Sequence, residues 1–303
     1  MSSIPRVFYT RISLSWGFTI RCKEVSAAQP AYPVPTPTTV VGAIGYSLAR
    51  VLGLNDDAAR IKYGEGYLIS SSMKVFLEST ITASAALIKP AHNKYSAGGI
   101  SVYQEPGRVI ASMYKGGGEI SRIKKAKIFT DQFYKDGLGR ILPVQAVGSA
   151  YGPGLIVDLL WIVDAYKLTR ELGISLERFD EAARKAIYGV IRLGSKEGLV
   201  SLIKAEYYTD VLKIGPGTNF RTRFYIDTQC VDALDKEFVS EIPLPGLNYK
   251  IKKFYMASQL ASRNIIIPLP ENYIPPSYRL LSGCFGYSIP INNVESIVGV
   301  ALS

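Results

Sequence analysis

The sequence predicts an α+β fold that carries a long insertion and a smaller, β-rich C-terminal extension. Patterns typical of strands and capped helices occur twice in the order strand, helix, strand. Apolar periodicity is weak between residues 94 and 140, and prolines with short strand patterns dominate beyond residue 215. The 303 residues suffice for one large domain or two modest ones, and 48% hydrophobic with 20% charged residues is typical of a globular protein.

The first half of the core pattern begins with a strand and continues into a helix. Residues 7–14 are β-branched and aromatic with rough alternation, which predicts a strand. Thr36 and Pro37 are residue types preferred at the N-cap and first position of a helix. Apolar residues then recur at helical spacing until Gly53, which is typical of a helix end.

Two glycines inside this predicted helix, Gly42 and Gly45, lower its intrinsic stability. Their presence indicates either close packing against the helix or a nearby ligand backbone. Residues 68–87, which are rich in serine, threonine and aliphatic side chains, then predict a strand or a hairpin.

The second half of the core pattern repeats the first after the insertion. Residues 155–163 resemble a buried strand. Ser175 is a typical helix cap, and the helical pattern runs to about Arg192 with acidic residues early and basic residues late. Residues 199–211 predict the next strand. We therefore predict a ferredoxin-like domain over residues 1–214, with an insertion at about 94–140, and a β-rich extension over 215–303.

The charge balance favours a polyanionic partner. The chain has 35 basic and 25 acidic residues, a net charge of +10 and a pI of about 9.3, which is typical of nucleic-acid or anionic-membrane binding, although solubility alone is the alternative. The longest apolar run, 154–165, is too short to span a bilayer. With no signal peptide visible, we expect a cytoplasmic protein without membrane attachment, whose Cys22, Cys230 and Cys284 are buried thiols.

The insertion is the most informative segment for function. Residues 94–140 hold nine basic and four acidic residues, and 9 − 4 gives +5, half of the net charge of the chain. Aromatic residues are interleaved with the basic ones, and glycines are frequent. Basic side chains neutralise phosphates while aromatic rings stack on unpaired bases, so this combination favours single-stranded nucleic-acid binding. A solvated flexible loop is the alternative interpretation.

Two other segments are weaker candidates for contacts with RNA. Residues 283–287, Gly-Cys-Phe-Gly-Tyr, are compatible with a loop against an RNA backbone or with an ordinary turn between strands. Arg221 and Arg223 lie on one face of a predicted strand and are either phosphate contacts or a solvated face.

Catalytic signals are sparse. His92 is the only histidine, so neither a redundant catalytic triad nor a histidine-rich metal site is available. With Lys94 and Tyr95 it forms a candidate for metal-independent RNA cleavage, although a structural histidine is the simpler interpretation. Asp158 and Asp164 are interpreted as strand-end charges rather than metal ligands. The sequence thus predicts no catalytic residue, metal or cofactor.

The N-terminal motifs resemble those of a known family. Residues 15–19, Ser-Trp-Gly-Phe-Thr, precede a proline-rich loop and the helix start 36–45, Thr-Pro-Thr-Thr-Val-Val-Gly-Ala-Ile-Gly. This opening is similar to that of the CRISPR-associated Cas-five family, above all its archaeal type I-A branch. Residues 192–200 resemble the family's helix-to-strand junction. The likeness covers roughly residues 6–55 and 190–205, and related repeat-associated RNA-binding subunits of type III complexes share the helix start.

This resemblance implies a modified RNA-recognition or ferredoxin-like fold in which a β-hairpin, the thumb, is inserted at about residues 94–140. It implies a Cascade surveillance complex in which this chain binds the 5′ handle of the guide RNA, with the Cas-seven backbone subunit and the large subunit as partners. Within this family only the type I-C branch is known for cleaving precursor RNA, and type I-A systems look to use a separate processing nuclease. The resemblance therefore implies binding and not cleavage.

The sequence therefore predicts a non-catalytic RNA-binding subunit whose thumb contacts the guide RNA. Predicted phosphate contacts are Lys94, Arg108, Lys115, Arg122, Lys124, Lys125, Lys127 and Arg140, and predicted stacking residues are Tyr95, Tyr103 and Tyr114. Trp16 and Phe18 remain open between a core and a handle-facing role. The alternatives are an endoribonuclease that uses His92 as its base and a structural subunit that contacts only protein.

Overall fold

The computed structural model describes residues 3–20, 28–54, 60–91, 97–109, 144–194, 198–262, 264–291 and 294–302. Over these ranges the fold mixes helices and strands, with strands in the majority. The helices are α1 (Pro37–Leu52), α2 (Ser71–Glu78), α3 (Ala165–Leu172) and α4 (Leu176–Ala186). The strands are β1 (Pro5–Leu14), β2 (Gly17–Phe18), β3 (Ala28–Gln29), β4 (Arg60–Tyr63), β5 (Tyr67–Ser70), β6 (Thr80–Ile88), β7 (Ile100–Val109), β8 (Val144–Tyr151), β9 (Ile156–Asp164), β10 (Val200–Tyr208), β11 (Leu212–Ile214), β12 (Asn219–Arg221), β13 (Ile226–Asp227), β14 (Val231–Ala233), β15 (Val239–Pro245), β16 (Ile251–Ala261), β17 (Ile265–Pro268), β18 (Ser277–Leu280), β19 (Cys284–Ile291) and β20 (Val294–Leu302).

A four-stranded sheet in the order β10–β1–β9–β6 forms the centre of the fold, and every neighbouring pair is antiparallel. Side chains alternate between its two faces, as the period of two in β1 requires. Phe8 points to one face and stacks on Trp161 with ring centroids 4.8 Å apart. Helices α1 to α4 contribute to the large buried cluster on this face, and Trp161 donates to the Thr80 hydroxyl at 2.8 Å.

The opposite face of the sheet is covered by the C-terminal strands. Val7 and Tyr9 alternate with Phe8 and join a second buried cluster that contains Phe224 and Tyr287. On the same face Arg11 donates to both oxygens of Asp158, at 2.7 and 2.9 Å, and also to a Glu271 oxygen at 3.0 Å. Hydrogen bonding to Asp158 raises the pKa of the Arg11 guanidinium.

The acidic residues of β9 differ in part from the prediction. Asp158 lies within β9 and not at its end, and its side chain is nearly buried in the ion pair with Arg11. Asp164 ends the strand as expected, and its carboxylate accepts from the backbone N–H groups of Tyr166 and Lys167 at the start of α3. Both carboxylates therefore stabilise the fold.

The capping signals of α1 are confirmed. Thr36 is the N-cap and its hydroxyl accepts from the Thr39 N–H at 3.3 Å, while Gly53 ends the helix in the left-handed conformation with φ 70°. The two glycines inside α1 lie against α2. A Cβ built at Gly45 would be 2.8 Å from the buried Phe76 ring, whereas one at Gly42 would be 3.3 Å from the end of the Met73 side chain. Close packing therefore accounts for Gly45.

These two glycines allow a matched test of packing against helix propensity. We expect Gly45→Ala to lower the free energy of unfolding by about 1–2 kcal/mol, because the Phe76 ring is held in the core and has to shift. The new methyl group in Gly42→Ala contacts only the flexible end of the Met73 side chain. We therefore expect the higher helix propensity of alanine to raise the free energy of unfolding by up to about 1 kcal/mol. Urea unfolding of both variants measures the difference, and equal midpoints would show that α1 and α2 are not in close contact at Gly45.

Two predicted elements have different boundaries in the structure. Residues 68–87 are not one strand or hairpin, because the eight-residue helix α2 lies between β5 and β6 and is capped by the Ser70 hydroxyl. The Ser175 cap is confirmed, but α4 ends at Ala186 and a 3₁₀ turn follows over Ile187–Gly189. The separate helix α3 was not predicted. Strands were correctly predicted at β1, β9 and β10.

A second sheet connects the insertion to the C-terminal part of the chain. Its strands follow the order β13–β16–β17–β7–β8–β2, with β17 paired to β7 through Ile265 and Ser101. Residues on both sides of residue 214 therefore share a sheet and also the two clusters described above. The division into 1–214 and 215–303 stays a prediction.

Two of the three cysteines are linked, and the prediction of thiols is wrong for them. Cys230 and Cys284 form a disulfide with their Cα atoms 5.5 Å apart, buried beside Phe220 and Tyr278. The Leu281 N–H donates to the Cys230 carbonyl at 2.9 Å, so the turn before β19 brings the two residues together. Cys22 lies outside the described residues.

Within the part of the chain that the structure describes, no helix is long and apolar enough to cross a membrane. The same residues contain no group of three or more histidine, cysteine, aspartate or glutamate side chains placed to hold a metal ion.

Candidate nucleic-acid interface

The predicted binding residues fall mostly outside the described ranges. Only Tyr103 is described with its side chain, and Arg108 is described as a backbone position in β7. The predicted residues Lys94, Tyr95, Tyr114, Lys115, Arg122, Lys124, Lys125, Lys127 and Arg140 lie outside, as does the predicted alternative base His92. Their contacts with RNA stay predictions.

Strands β7 and β8 form an antiparallel pair on either side of residues 110–143. Tyr103 is opposite Ser149 and Arg108 is opposite Gln145, and the described pairing ends where Val109 meets Val144. Residues 110–143 contain seven basic and three acidic residues, and 7 − 3 gives +4. The most basic part of the insertion is thus the segment that connects these two paired strands.

Three aromatic rings lie in a row at the root of this strand pair, and we call them the hairpin-root surface: Trp16, Tyr151 and Tyr103. The rings of Trp16 and Tyr151 have centroids 5.3 Å apart, and those of Tyr151 and Tyr103 are 5.9 Å apart. Tyr103 is 60% exposed, while Trp16 and Tyr151 are partly buried. A supported, exposed ring of this kind offers a π-face to an unpaired base at a small entropic cost.

A close backbone approach positions this row. Gly17 in β2 pairs with Tyr151, and a Cβ at Gly17 would lie 1.9 Å from the Ala150 carbonyl oxygen. Only glycine therefore allows β2 to lie this close to β8, and the preceding residue, Trp16, is thereby brought beside Tyr151. The next residue, Phe18, is fully buried and belongs to the core. Phe18 is thus a core residue, whereas a handle-facing role of the partly buried Trp16 stays a prediction.

The weaker candidate at 283–287 is part of a strand. Gly283 forms a turn with φ 80°, and β19 begins at Cys284, whose sulfur is in the disulfide. Tyr287 is buried in the cluster beneath the central sheet, and a Cβ at Gly286 would collide with the Ile214 side chain at 2.5 Å. The turn-and-strand interpretation applies, and this segment offers no loop for RNA.

Arg221 and Arg223 anchor a loop of the C-terminal part. Arg223 donates to the carbonyl oxygens of Pro270 and Glu271, each at 2.9 Å, and to that of Tyr273. Burial lowers the pKa of its guanidinium. Arg221 donates to the Pro275 carbonyl at 2.9 Å. Both guanidinium groups therefore have structural hydrogen bonds and are poor candidates for phosphate contacts.

Sequence reasoning identified Tyr103 but missed Tyr151 and the pairing that joins it to Trp16. Tyr151 follows a run of small residues and carries no local signal of a binding role. Its position next to Trp16 depends on the pairing of β2 with β8, which brings together residues distant in the sequence. Composition alone does not contain this register.

Comparisons with known proteins give a fold. No protein-family model matches the sequence, and no curated protein matches it. A crystal structure of a CRISPR protein from Archaeoglobus fulgidus is similar with a TM-score of 0.54 at 11% identity, over 98% of this chain and 99% of that one. At this identity the likeness establishes a shared fold alone.

Other solved structures are less similar. A CRISPR RNA-guided surveillance complex chain gives a TM-score of 0.30 at 9% identity, over 74% of this chain and 69% of that one. A chain of the type III-B Cmr-beta complex bound to cognate target RNA gives 0.28 at 13% identity, over 86% and 85%.

Proposed function

We propose that this protein is a non-catalytic RNA-binding subunit of a type I CRISPR surveillance complex, a Cas-five-like chain that binds the 5′ handle of the guide RNA in the cytoplasm. In this proposal it caps the backbone filament and contacts the Cas-seven backbone subunit and the large subunit. The observation that carries the proposal is the aromatic row, with its exposed Tyr103 ring, at the root of β7 and β8, the strands that flank the basic residues 110–143.

The fold supports this proposal over the whole chain. The strand order β10–β1–β9–β6, with α1 between β1 and β6 and α3 and α4 between β9 and β10, is the arrangement expected of a ferredoxin-like domain. The similar fold from Archaeoglobus fulgidus is a CRISPR protein and aligns with nearly the full length of both chains. Fold likeness alone does not give function, so the proposal depends on the surface.

The surface favours RNA over a purely protein partner. Protein interfaces tend to be depleted of lysine, whereas single-stranded RNA is held by lysine and arginine next to exposed aromatic rings. Here the exposed Tyr103 ring lies on the strand that leads into a segment with a net charge of +4. The proposal is that a base stacks on Tyr103 while the basic side chains that follow β7 in the sequence bind neighbouring phosphates.

Replacing Tyr103 tests the stacking interaction. We expect Tyr103→Ala to weaken the binding of labelled repeat RNA by about 1–3 kcal/mol, the usual contribution of one stacked base. Fluorescence anisotropy in EDTA with a salt series measures the affinity, and gel analysis of the same samples measures whether the RNA stays intact.

The matched control for Tyr103→Ala is Tyr273→Ala, because Tyr273 is also exposed, at 37%, and its ring also rests against another, that of Phe238 at 5.1 Å. Equal RNA affinities of the two variants would show that Tyr103 does not contact the RNA. Cleavage of the RNA by the wild-type chain would overturn the non-catalytic part of the proposal and make His92 the residue to replace. Absence of any RNA binding would favour the protein-only alternative.

A further inference from the structure

A second surface lies beside helix α1, away from the predicted thumb. A cleft of about 240 Å³ separates one face of α1 from the segment that follows α4, and we call it the α1 cleft. Thr39, Gly42 and Tyr46 line its α1 side at the spacing of one helical face. Gly189 and Arg192 line the other side. A Cβ at Gly189 would lie 2.0 Å from the Ser47 hydroxyl oxygen, so this glycine lets the two sides of the cleft approach closely.

Two guanidinium groups converge on one aromatic ring at the end of the α1 cleft. The Arg192 guanidinium lies 4.9 Å from the Tyr46 ring centroid, and that of Arg50 lies 5.7 Å from it. Arg50 also donates to the Tyr46 hydroxyl oxygen at 3.0 Å. Because the phenol oxygen accepts this bond, its own hydrogen is directed elsewhere, and no described residue accepts it.

These groups are all hydrogen-bond donors, and no acid balances them. Among the residues that the structure describes, neither Arg50 nor Arg192 forms an ion pair with a carboxylate. Tyr46 is 44% exposed and Arg50 is exposed, so the donors are accessible from solvent.

We propose that the α1 cleft is a phosphate-binding subsite for the RNA strand, in which Arg50 and Arg192 bind the phosphate oxygens of one phosphodiester and the Tyr46 hydroxyl donates a third hydrogen bond. The proposal rests on the proposed function. Planar guanidinium groups match the geometry of phosphate oxygens and remain charged at all physiological pH values.

The α1 cleft is continuous with the hairpin-root surface through a short stretch of chain. Thr19 forms a parallel bridge with Gly194, which lines the cleft, and a Cβ at Gly194 would lie 2.6 Å from the Thr19 carbonyl oxygen. Trp16 is only three residues before Thr19, so the two surfaces are about 10 Å apart along the backbone. A single strand that stacks on Tyr103 therefore has a second anchoring point within reach.

The double variant Arg50→Gln/Arg192→Gln tests this subsite. We expect it to bind labelled repeat RNA at least about tenfold more weakly than the wild type, because two charge-assisted hydrogen-bonding groups are removed. The slope of log affinity against log salt should fall by about 0.7 for each phosphate that is no longer neutralised. Tyr46→Phe, which removes only the hydroxyl, should weaken binding by a smaller factor and leave the salt slope unchanged.

The charge-matched control is Arg178→Gln/Arg279→Gln, which removes two exposed arginines from α4 and β18. Arg50 also lies in the last turn of α1, where a positive charge stabilises the helix. The conservative variant Arg50→Lys/Arg192→Lys keeps that charge but lacks the planar fork, so it should still weaken RNA binding. Thermal unfolding of each variant separates an effect on binding from an effect on folding.

A second probe separates this subsite from the proposed function. Inorganic tripolyphosphate, titrated calorimetrically, should bind the wild type and not the Arg50→Gln/Arg192→Gln variant. If the wild type binds RNA and the double variant binds it with the same affinity and salt slope, the subsite is wrong and the proposed function stands. If tripolyphosphate binding depends on the two arginines but the wild type binds no RNA, the RNA assignment and the proposed function are both wrong. If neither ligand binds the wild type, both proposals fail together.

Discussion

Neutralising the basic centre of the insertion is expected to weaken RNA binding by about two to three powers of ten near 0.1 M salt. The variant is Arg122→Gln/Lys124→Gln/Lys125→Gln/Lys127→Gln, which removes four of the seven basic residues between 110 and 143. If each side chain neutralises one phosphate of a single strand, the salt slope should fall by about 0.7 per residue. Anisotropy with labelled repeat RNA at several salt concentrations measures both quantities.

The control for this variant removes the same charge elsewhere. Arg178, Lys236, Lys250 and Arg279 are exposed and belong to parts of the chain outside the insertion, so their replacement by glutamine changes the net charge equally. We expect only a small, uniform decrease in affinity from it. An insertion variant that binds as well as this control would show that the insertion is a solvated loop and that its charge has no specific role.

The two binding experiments together distinguish where the strand is held. If the insertion and the α1 cleft bind different phosphates of one strand, their effects should add, because residues that are well separated and share no partners contribute independently. A combined variant whose decrease in affinity is much smaller than the sum would mean that the two regions bind the same phosphates.

The order of the central elements could be predicted because its signals are local. Thr36 before Pro37, Ser175 before an acidic first turn and Gly53 at a helix end are read from a few neighbouring residues, and the structure has helix boundaries at all three. Helix α2 was not predicted because it has only eight residues, about two turns. A helical repeat of apolar residues becomes recognisable only over a longer window of about 11 residues or more. Its Ser70 cap was the one local signal.

The proposed binding surface could be anticipated from the sequence only where composition carried the signal. Tyr103 was predicted as a stacking residue because it belongs to a segment that is both basic and aromatic, and its contact with RNA stays a prediction. Tyr151 lies beside Trp16 through the register of β2 against β8, and Arg192 lies beside Tyr46 because the segment around the end of α4 packs on α1. Sequence spacing between such residues contains no information about that register.

The pairing of the cysteines, which bears on stability, likewise could not be predicted from the sequence. Three cysteines allow three different pairs, and their wide spacing favours none of them. In the structure, Cys230 lies immediately before β14 and Cys284 begins β19, and β18 lies between these elements in the chain and pairs with β14. The packing of these strands around Tyr278 and Leu280 brings the two sulfurs together.

Removing this disulfide is expected to cost about 4 kcal/mol of unfolding free energy. Its sequence separation is 54 residues, and in the chain-entropy model a closed loop of that length restricts the unfolded chain by this amount. The variant is Cys230→Ala/Cys284→Ala, because alanine leaves no unpaired hydroxyl among the apolar neighbours of two sites that are almost fully buried. Guanidinium unfolding under oxidising conditions measures the decrease in stability.

A reductant series distinguishes the covalent link from simple packing. When the wild type is unfolded in dithiothreitol, its free energy of unfolding should fall by the same amount as in the double alanine variant. The reductant should not change the stability of the double alanine variant itself. Cys22→Ala should behave as the wild type does, since Cys22 is outside the pair. Equal midpoints for the wild type with and without reductant would mean that the link contributes no stability. Because both cysteines are buried, reduction of the native protein requires local opening around β18 and β19. The link should therefore outlast brief exposure to reductant, as it would need to do in the reducing cytoplasm that we propose for this protein.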